Sequence, residues 1–213
     1  MKVRCLALLL CALACSAATD TVVVLETNPG MEAWLAQTTV PHIPLGSAVG
    51  IVTFAGKPKV RQTITDNQEK LTRALRRVTT GSLKFGPTVR RADAPVFAAV
   101  MTAARLLGQG GGRIVLLFGS EEHAMRPTAA ELQQALAAAR IRLDAVAVRR
   151  GFPLGGSRRD AQTPPTVPGG YPPVSRESMP LPEATLAILK GVCRATGGTA
   201  QANRWNLAAL LDH

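Results

Sequence analysis

Aromatic residues are scarce in this chain: Phe, Trp and Tyr make up 4% of its 213 residues, although 46% are hydrophobic. A core must therefore be built mainly from Ala, Leu and Val, which suits a globular chain and not a disordered one. The same scarcity leaves the basic residues without interleaved stacking platforms, which argues against nucleic acid as a partner. Cysteine is short where it would count, since Cys5, Cys11 and Cys15 all lie in the first 18 residues and Cys193 stands alone beyond them. One thiol cannot make a disulfide framework. Acids are also outnumbered, 14 against 25 Lys and Arg, for a net charge of +11.

What is there begins with a targeting pattern. Lys2 and Arg4 precede the apolar run Leu6 to Ala14, and the small residues Ser16, Ala17 and Ala18 follow. The run falls short of the roughly 20 apolar residues of a membrane span. Residues 1–18 are expected to be a signal peptide, with the mature chain starting near Thr19 and the protein secreted or periplasmic. Ala12-Leu13-Ala14-Cys15 also resembles a bacterial lipobox, so a membrane-anchored lipoprotein carrying lipid on Cys15 is the alternative. Loss of Lys2 and Arg4 lowers the charge to +9, because residues 1–18 hold no acid. Such a surface is either simply solvated or attractive to acidic groups, including anionic envelope lipid.

The rest reads as one domain over residues 19–213. Val22 to Leu25 is a buried strand that stops at Glu26, with turn-forming residues to Gly30. Glu32 to Thr38 is a short helix, stopped by Pro41 and Pro44. Ser47 to Ala55 is a strand, and Lys59 to Thr65 returns as an antiparallel edge whose Lys57, Lys59 and Arg61 resist pairing with other chains. Asp66 and Glu69 suggest a capping box for a helix over Asn67 to Val78, with Lys70, Arg73, Arg76 and Arg77 outward. After a loop from Gly81 to Ala94, Pro95 to Leu107 is a helix with the stripe Val96, Val100, Ala103 and Leu107.

Gly108 to Gly112 follows a helix and precedes a strand, the reverse of a phosphate loop, so it reads as a helix stop. Arg113 to Phe118 shows no polar alternation and is therefore a central strand with both faces covered. Thr128 and Glu131 cap a helix bearing Leu132, Leu136 and Ala139. Arg142 to Val148 is the next strand. Residues 151–182 are a Pro- and Gly-rich loop. A helix over Glu183 to Ala195 buries Leu186, Leu189 and Cys193, Gly197-Gly198 ends it, Thr199 to Asn203 is a short strand and Leu207 to Leu211 a last helical turn. This alternation predicts a Rossmann-like, doubly wound α/β fold with a mostly parallel sheet, one antiparallel edge strand and helices on both faces. Ligands in such folds sit at the carboxyl ends of the strands, here first at Glu26 to Gly30.

Several phrases in this order resemble a von Willebrand factor type A domain of the secreted bacterial branch: Val22 to Met31, Gly50 to Phe54, Val96 to Leu107, Arg113 to Glu122, Leu143 to Val148 and Ala195 to Gly198. In that family an Asp-x-Ser-x-Ser loop, a threonine and a second aspartate hold a divalent ion that a partner's acid completes. The resemblance puts those positions on Glu26, Asn28, Gly30, Ala94 and Gly119. Gly30, Ala94 and Gly119 have no side-chain oxygen, whereas Mg²⁺ demands near-octahedral oxygens at about 2.1 Å. The resemblance therefore implies a degenerate, metal-free site with no cofactor. If any ion binds, its ligands are expected among Glu26, Asn28, Asp93, Glu121 and Glu122.

The function implied is a non-catalytic module that binds another protein, an acidic one, through loops bearing Glu26, Asn28, Gly30, Arg90, Arg91, Asp93, Ser120 and Glu121, with Lys84 adding charge. Three alternatives stand beside it: a metal-dependent adhesion domain using the altered acids, a lipoprotein scaffold, and a hydrolase. Ser120 lies near His123, but Gly119-Ser120-Glu121 is not a nucleophile elbow. A nucleotide enzyme is disfavoured because no glycine-rich loop follows the first strand. His42 and His213 form no metal pattern. Cys193, on an apolar stripe, reads as core, and Trp34 and Trp205 read as packing.

Overall fold

The computed structural model describes residues 19–27, 48–81, 95–122, 124, 126–148 and 181–202. Within them the elements run β1 (Thr21–Glu26), β2 (Val49–Phe54), β3 (Lys59–Thr65), α1 (Gln68–Gly81), α2 (Val96–Leu107), β4 (Gly112–Phe118), α3 (Ala129–Ala138), β5 (Ile141–Ala147), α4 (Glu183–Ala195) and β6 (Ala200–Ala202). The six strands form one sheet in the order β3-β2-β1-β4-β5-β6. All neighbours are parallel except β2 and β3. The expected α/β architecture is observed.

Side-chain alternation divides the core between two faces. Val22, Val24, Val52, Phe54, Ile114, Leu116, Phe118, Leu143 and Ala145 pack against α2, α3 and α4. Val23, Leu25, Val49, Ile51, Val115 and Leu117 pack against Leu71, Ala74 and Leu75 of α1. From Ile114 to Phe118, β4 is wholly buried, because a strand flanked by parallel neighbours and covered on both faces has no side to give to water. At the edge, β3 carries exposed Lys59 and Arg61, and its register with β2 shifts twice.

Sequence punctuation explains most of the boundaries. Gly108, at φ 70, ends α2. Thr128 and Glu131 make the expected capping box at α3. Gly197, at φ 75, ends α4, and the chain then presses so close to β5 that a Cβ on Gly198 would lie 1.9 Å from the Leu143 carbonyl oxygen.

At α1 the expected box is not found. The Asn67 side chain accepts from the Lys70 backbone N–H at 3.0 Å, and Glu69 pairs with Arg73 one turn on. The cap lies one residue later than the Asp66–Glu69 spacing suggests, because Asn67 directly precedes the helix and its side chain reaches a free N–H group itself. Leu107, expected on the buried stripe of α2, is only partly buried, while Phe97, Ala99 and Ala104 join it. The helix at 32–38, the last turn at 207–211, most of the loops at 81–94 and 151–182, and Trp34, His42, Lys84, Trp205 and His213 lie outside the described residues.

An ion-pair cluster joins β4, β5 and the start of β6. Asp144, fully buried, accepts from Arg113 Nε at 2.8 Å and from the Thr199 backbone N–H at 2.9 Å and hydroxyl at 3.1 Å. Arg142 adds its charge, Nε lying 3.1 Å from Asp144 Oδ2 without the alignment of a hydrogen bond.

Candidate functional site

The carboxyl ends of β1, β2 and β4 meet at one end of the sheet, together with the amino-terminal ends of α2 and α4. There β1 ends in Glu26, which is completely buried. A buried carboxylate needs donors, and it finds them in the turn after β4. Glu26 Oε2 accepts from the backbone N–H groups of Gly119 at 2.6 Å and Ser120 at 3.0 Å, and Oε1 accepts from the Ser120 hydroxyl. Successive backbone N–H groups aimed at one point form an anion-holding nest, and in this molecule the anion is the protein's own. Next to it, the Thr27 N–H donates to the Phe54 carbonyl at 2.7 Å, tying the ends of β1 and β2.

The two acids that follow have separate tasks. Helices α2 and α4 start at Pro95 and Pro182, neither of which supplies a capping side chain. The orphan N–H groups of such a helix start require an acceptor from elsewhere. Glu121 provides it for α4, accepting from the Thr185 N–H at 2.8 Å, the Ala184 N–H at 3.2 Å and the Thr185 hydroxyl at 2.5 Å. Glu122 provides it for α2, accepting from the Phe97 N–H at 2.6 Å, and also from the Ala124 N–H at 2.8 Å. The Glu122 N–H in turn donates to Thr185 Oγ1 at 2.6 Å. Each carboxylate also meets the positive end of a helix dipole.

Should any ion bind, Glu26, Glu121 and Glu122 are the described acids expected among its ligands. They lie at one end of the sheet but face three different sets of backbone donors, and no group of three or more His, Cys, Asp or Glu side chains comes together among the described residues. The described side chains do not fit a divalent ion: the Gly119 and Ser120 N–H groups turn their positive ends toward Glu26, where an ion would need oxygens. Asn28, Gly30, Arg90, Arg91, Asp93 and Ala94 lie outside the described residues, as does His123. Ser120 is 9% exposed and its hydroxyl is directed to Glu26, so it is not presented as a nucleophile.

Thr185 was not among the candidate residues, yet its hydroxyl donates to Glu121 and accepts from the Glu122 N–H, and it is itself 1% exposed. The signal for it was the helix that opens on Pro182 with no capping residue. Exposed Lys57 in the β2–β3 turn and Lys59 beside it add positive charge at this end of the sheet. Cys193 is fully buried on the apolar stripe of α4, and burial, reinforced by the charge of Asp144, pushes its thiol up to about 12, which disfavours the thiolate that redox chemistry needs.

No family model and no curated protein matches the sequence. Solved structures do match in fold. An aerotolerance-related membrane protein from Bacteroides fragilis superposes with a TM-score of 0.57 at 15% identity, over 91% of this chain and 95% of that one. BatB from Bacteroides thetaiotaomicron gives 0.55 at 15% identity, over 90% and 93%. The VWA domain of SpRpn10 gives 0.52 at 12% identity, over 92% and 94%. The chain has the von Willebrand factor type A fold, as its phrases suggested.

Proposed function

We propose that this chain is a non-catalytic module acting outside the cytoplasm, which binds another protein through the loops at the carboxyl end of its sheet and needs no bridging ion. The observation that carries this reading is the buried contact of Glu26 with Gly119 and Ser120. It fills from within the place where the fold's adhesion site would present an ion, so recognition falls to the surrounding loops. Lys57 and Lys59 add positive charge at that end, and the sequence puts the Arg90-Arg91 pair in a loop expected to join them, which suits an acidic partner. Residues 1–18 support export, with lipidation at Cys15 as the route to a membrane-anchored form.

The test is affinity capture from a cell-envelope extract, with and without chelator. Capture should be unchanged by chelator and lost on charge reversal at Arg90 and Arg91. Loss of capture on chelation would instead establish a metal-dependent adhesion domain using Asn28 or Asp93. In calorimetric titration, Mg²⁺, Mn²⁺ and Ca²⁺ should give no heat and no change in melting temperature.

A further inference from the structure

The opposite end of the sheet carries a second basic surface. Helices α2, α3 and α4 lie side by side on one face, and each runs down to the amino-terminal end of the strand that follows it. Arg105 occupies the last turn of α2, Arg140 follows α3, and Lys190 and Arg194 lie one turn apart at the end of α4. All four are exposed, and none has an ion-pair partner among the described residues. Packed helices lie about 8–10 Å apart, so these cations form a row roughly 20 Å long. Arg105 and Arg194 also offset the carbonyl ends of their helices, and that alone would explain them.

Arg140 is different. It takes φ 55, in the left-handed region, just past the C-cap of α3, where glycine or asparagine is the usual residue because a Cβ is strained there. Gly111 packs beside it, a Cβ there lying 3.3 Å from the Arg140 carbonyl oxygen. The chain thus keeps a long cation where the backbone favours a residue with no side chain.

The chain's own amino-terminal segment also enters at this end. Thr21 is in register with Arg113 at the start of β4, and the apolar run Leu6 to Ala14 stops only six residues before β1. Six extended residues span at most about 20 Å. A domain held by lipid on Cys15 would have this end within reach of the bilayer surface. We propose that the Arg105, Arg140, Lys190 and Arg194 surface docks on anionic phospholipid headgroups, turning the opposite, loop-bearing end away from the membrane. Electrostatic attraction of clustered Lys and Arg to anionic lipid supplies the binding. It does not depend on what the loops recognise.

Lysine acylation tests this on the full chain reconstituted in vesicles. Lys190 reports the proposed surface, and Lys57, at the other end of the sheet, is the internal reference. On vesicles of phosphatidylcholine with about one-third phosphatidylglycerol, Lys190 acylation relative to Lys57 should fall several-fold compared with phosphatidylcholine alone, and high salt should reverse the fall. Arg140→Gly should keep or raise the melting temperature while removing much of the protection, and R105Q/R194Q should remove it as well. Equal Lys190 rates on both vesicles would overturn the proposal, as would protection on phosphatidylcholine alone, or protection by duplex DNA but not by anionic vesicles. A lower melting temperature in R140G would overturn the inference drawn from strain.

Discussion

The carboxylate of Glu26 is the group around which the loop-bearing end is built. It accepts charge-assisted hydrogen bonds from two backbone N–H groups and a hydroxyl, with no exposure to water. Glu26→Gln keeps the shape but sets an amide NH₂ against at least one of those donors. Bonds to a charged acceptor are worth about 1.5–3 kcal/mol, so E26Q should lose about 2 kcal/mol in denaturant unfolding. An unchanged midpoint would mean that the loop after β4 is held by other contacts. Sequence alone made Glu26 a poor substitute for a metal ligand. Its opposite role, as the anion in a backbone nest, depends on the direction of the Gly119 and Ser120 N–H groups, which no residue pattern specifies. Cys193 was legible from its stripe alone. Its thiol is held up to about 12 from an ordinary 9.0, so the folded state keeps a proton that the unfolded state loses. That contribution to stability is complete below pH 9 and is lost as pH rises through the interval to 12. Aromatic disulfide reagents should react with Cys193 only after unfolding, and C193A should lose less stability than the parent chain over that alkaline interval.

Two kinds of helix start operate among the elements. Helix α3 caps itself: Thr128 accepts from the Glu131 N–H at 3.2 Å, and the Glu131 carboxylate accepts from the Thr128 N–H at 2.7 Å. Those bonds to Thr128, first from its backbone and then from its hydroxyl, hold the Glu131 carboxyl below its usual value of 4.5. The cap is therefore fully present above that value and is lost as pH falls through the lowered one. Thr128→Ala should cost about 1 kcal/mol at neutral pH, with the difference from the parent chain narrowing in acid. This cap was readable because its two residues sit three apart. Helices α2 and α4 are capped across the fold by Glu122 and Glu121, 25 and 64 residues from Phe97 and Thr185. No local spacing encodes such a cap, and the proline at each start gave only its negative, a helix lacking its own acceptor. Glu121→Ala should loosen the first turn of α4, with amide exchange near Ala184 and Thr185 rising about tenfold or more, consistent with a cap worth about 1–2 kcal/mol. Unaltered exchange there would show that α4 does not depend on this acid.

Across the whole molecule, the places of β4 and β3 in the sheet followed from hydrophobic runs because position in a parallel sheet and burial are the same physical fact: β4 has neighbours on both sides and no polar alternation, and among the described residues β3 has a neighbour on one side only. That open side is the liability of the architecture. Among the described residues the edge strand finds no partner on its outer side for its backbone donors and acceptors, and Val60 is 45% exposed on it. Two features guard it: the register shifts against β2, which bend the strand away from a flat template, and the cations Lys59 and Arg61. Arg61 has a second task, donating from Nε to the Thr53 hydroxyl at 2.8 Å, so its charge cannot be removed without disturbing β2. Lys59 makes no such side-chain bond among the described residues and isolates the effect of charge. Lys59→Thr should therefore fold normally and raise edge-to-edge association, visible as a concentration-dependent increase in mass by light scattering that urea below the unfolding transition does not produce in the parent chain. Adding Arg61→Lys, which keeps the charge but not the directed bond to Thr53, should lower stability without further association. If K59T stays monomeric at high concentration, the shifted register alone protects the edge, and the cations there are free to serve the partner proposed for that end of the sheet.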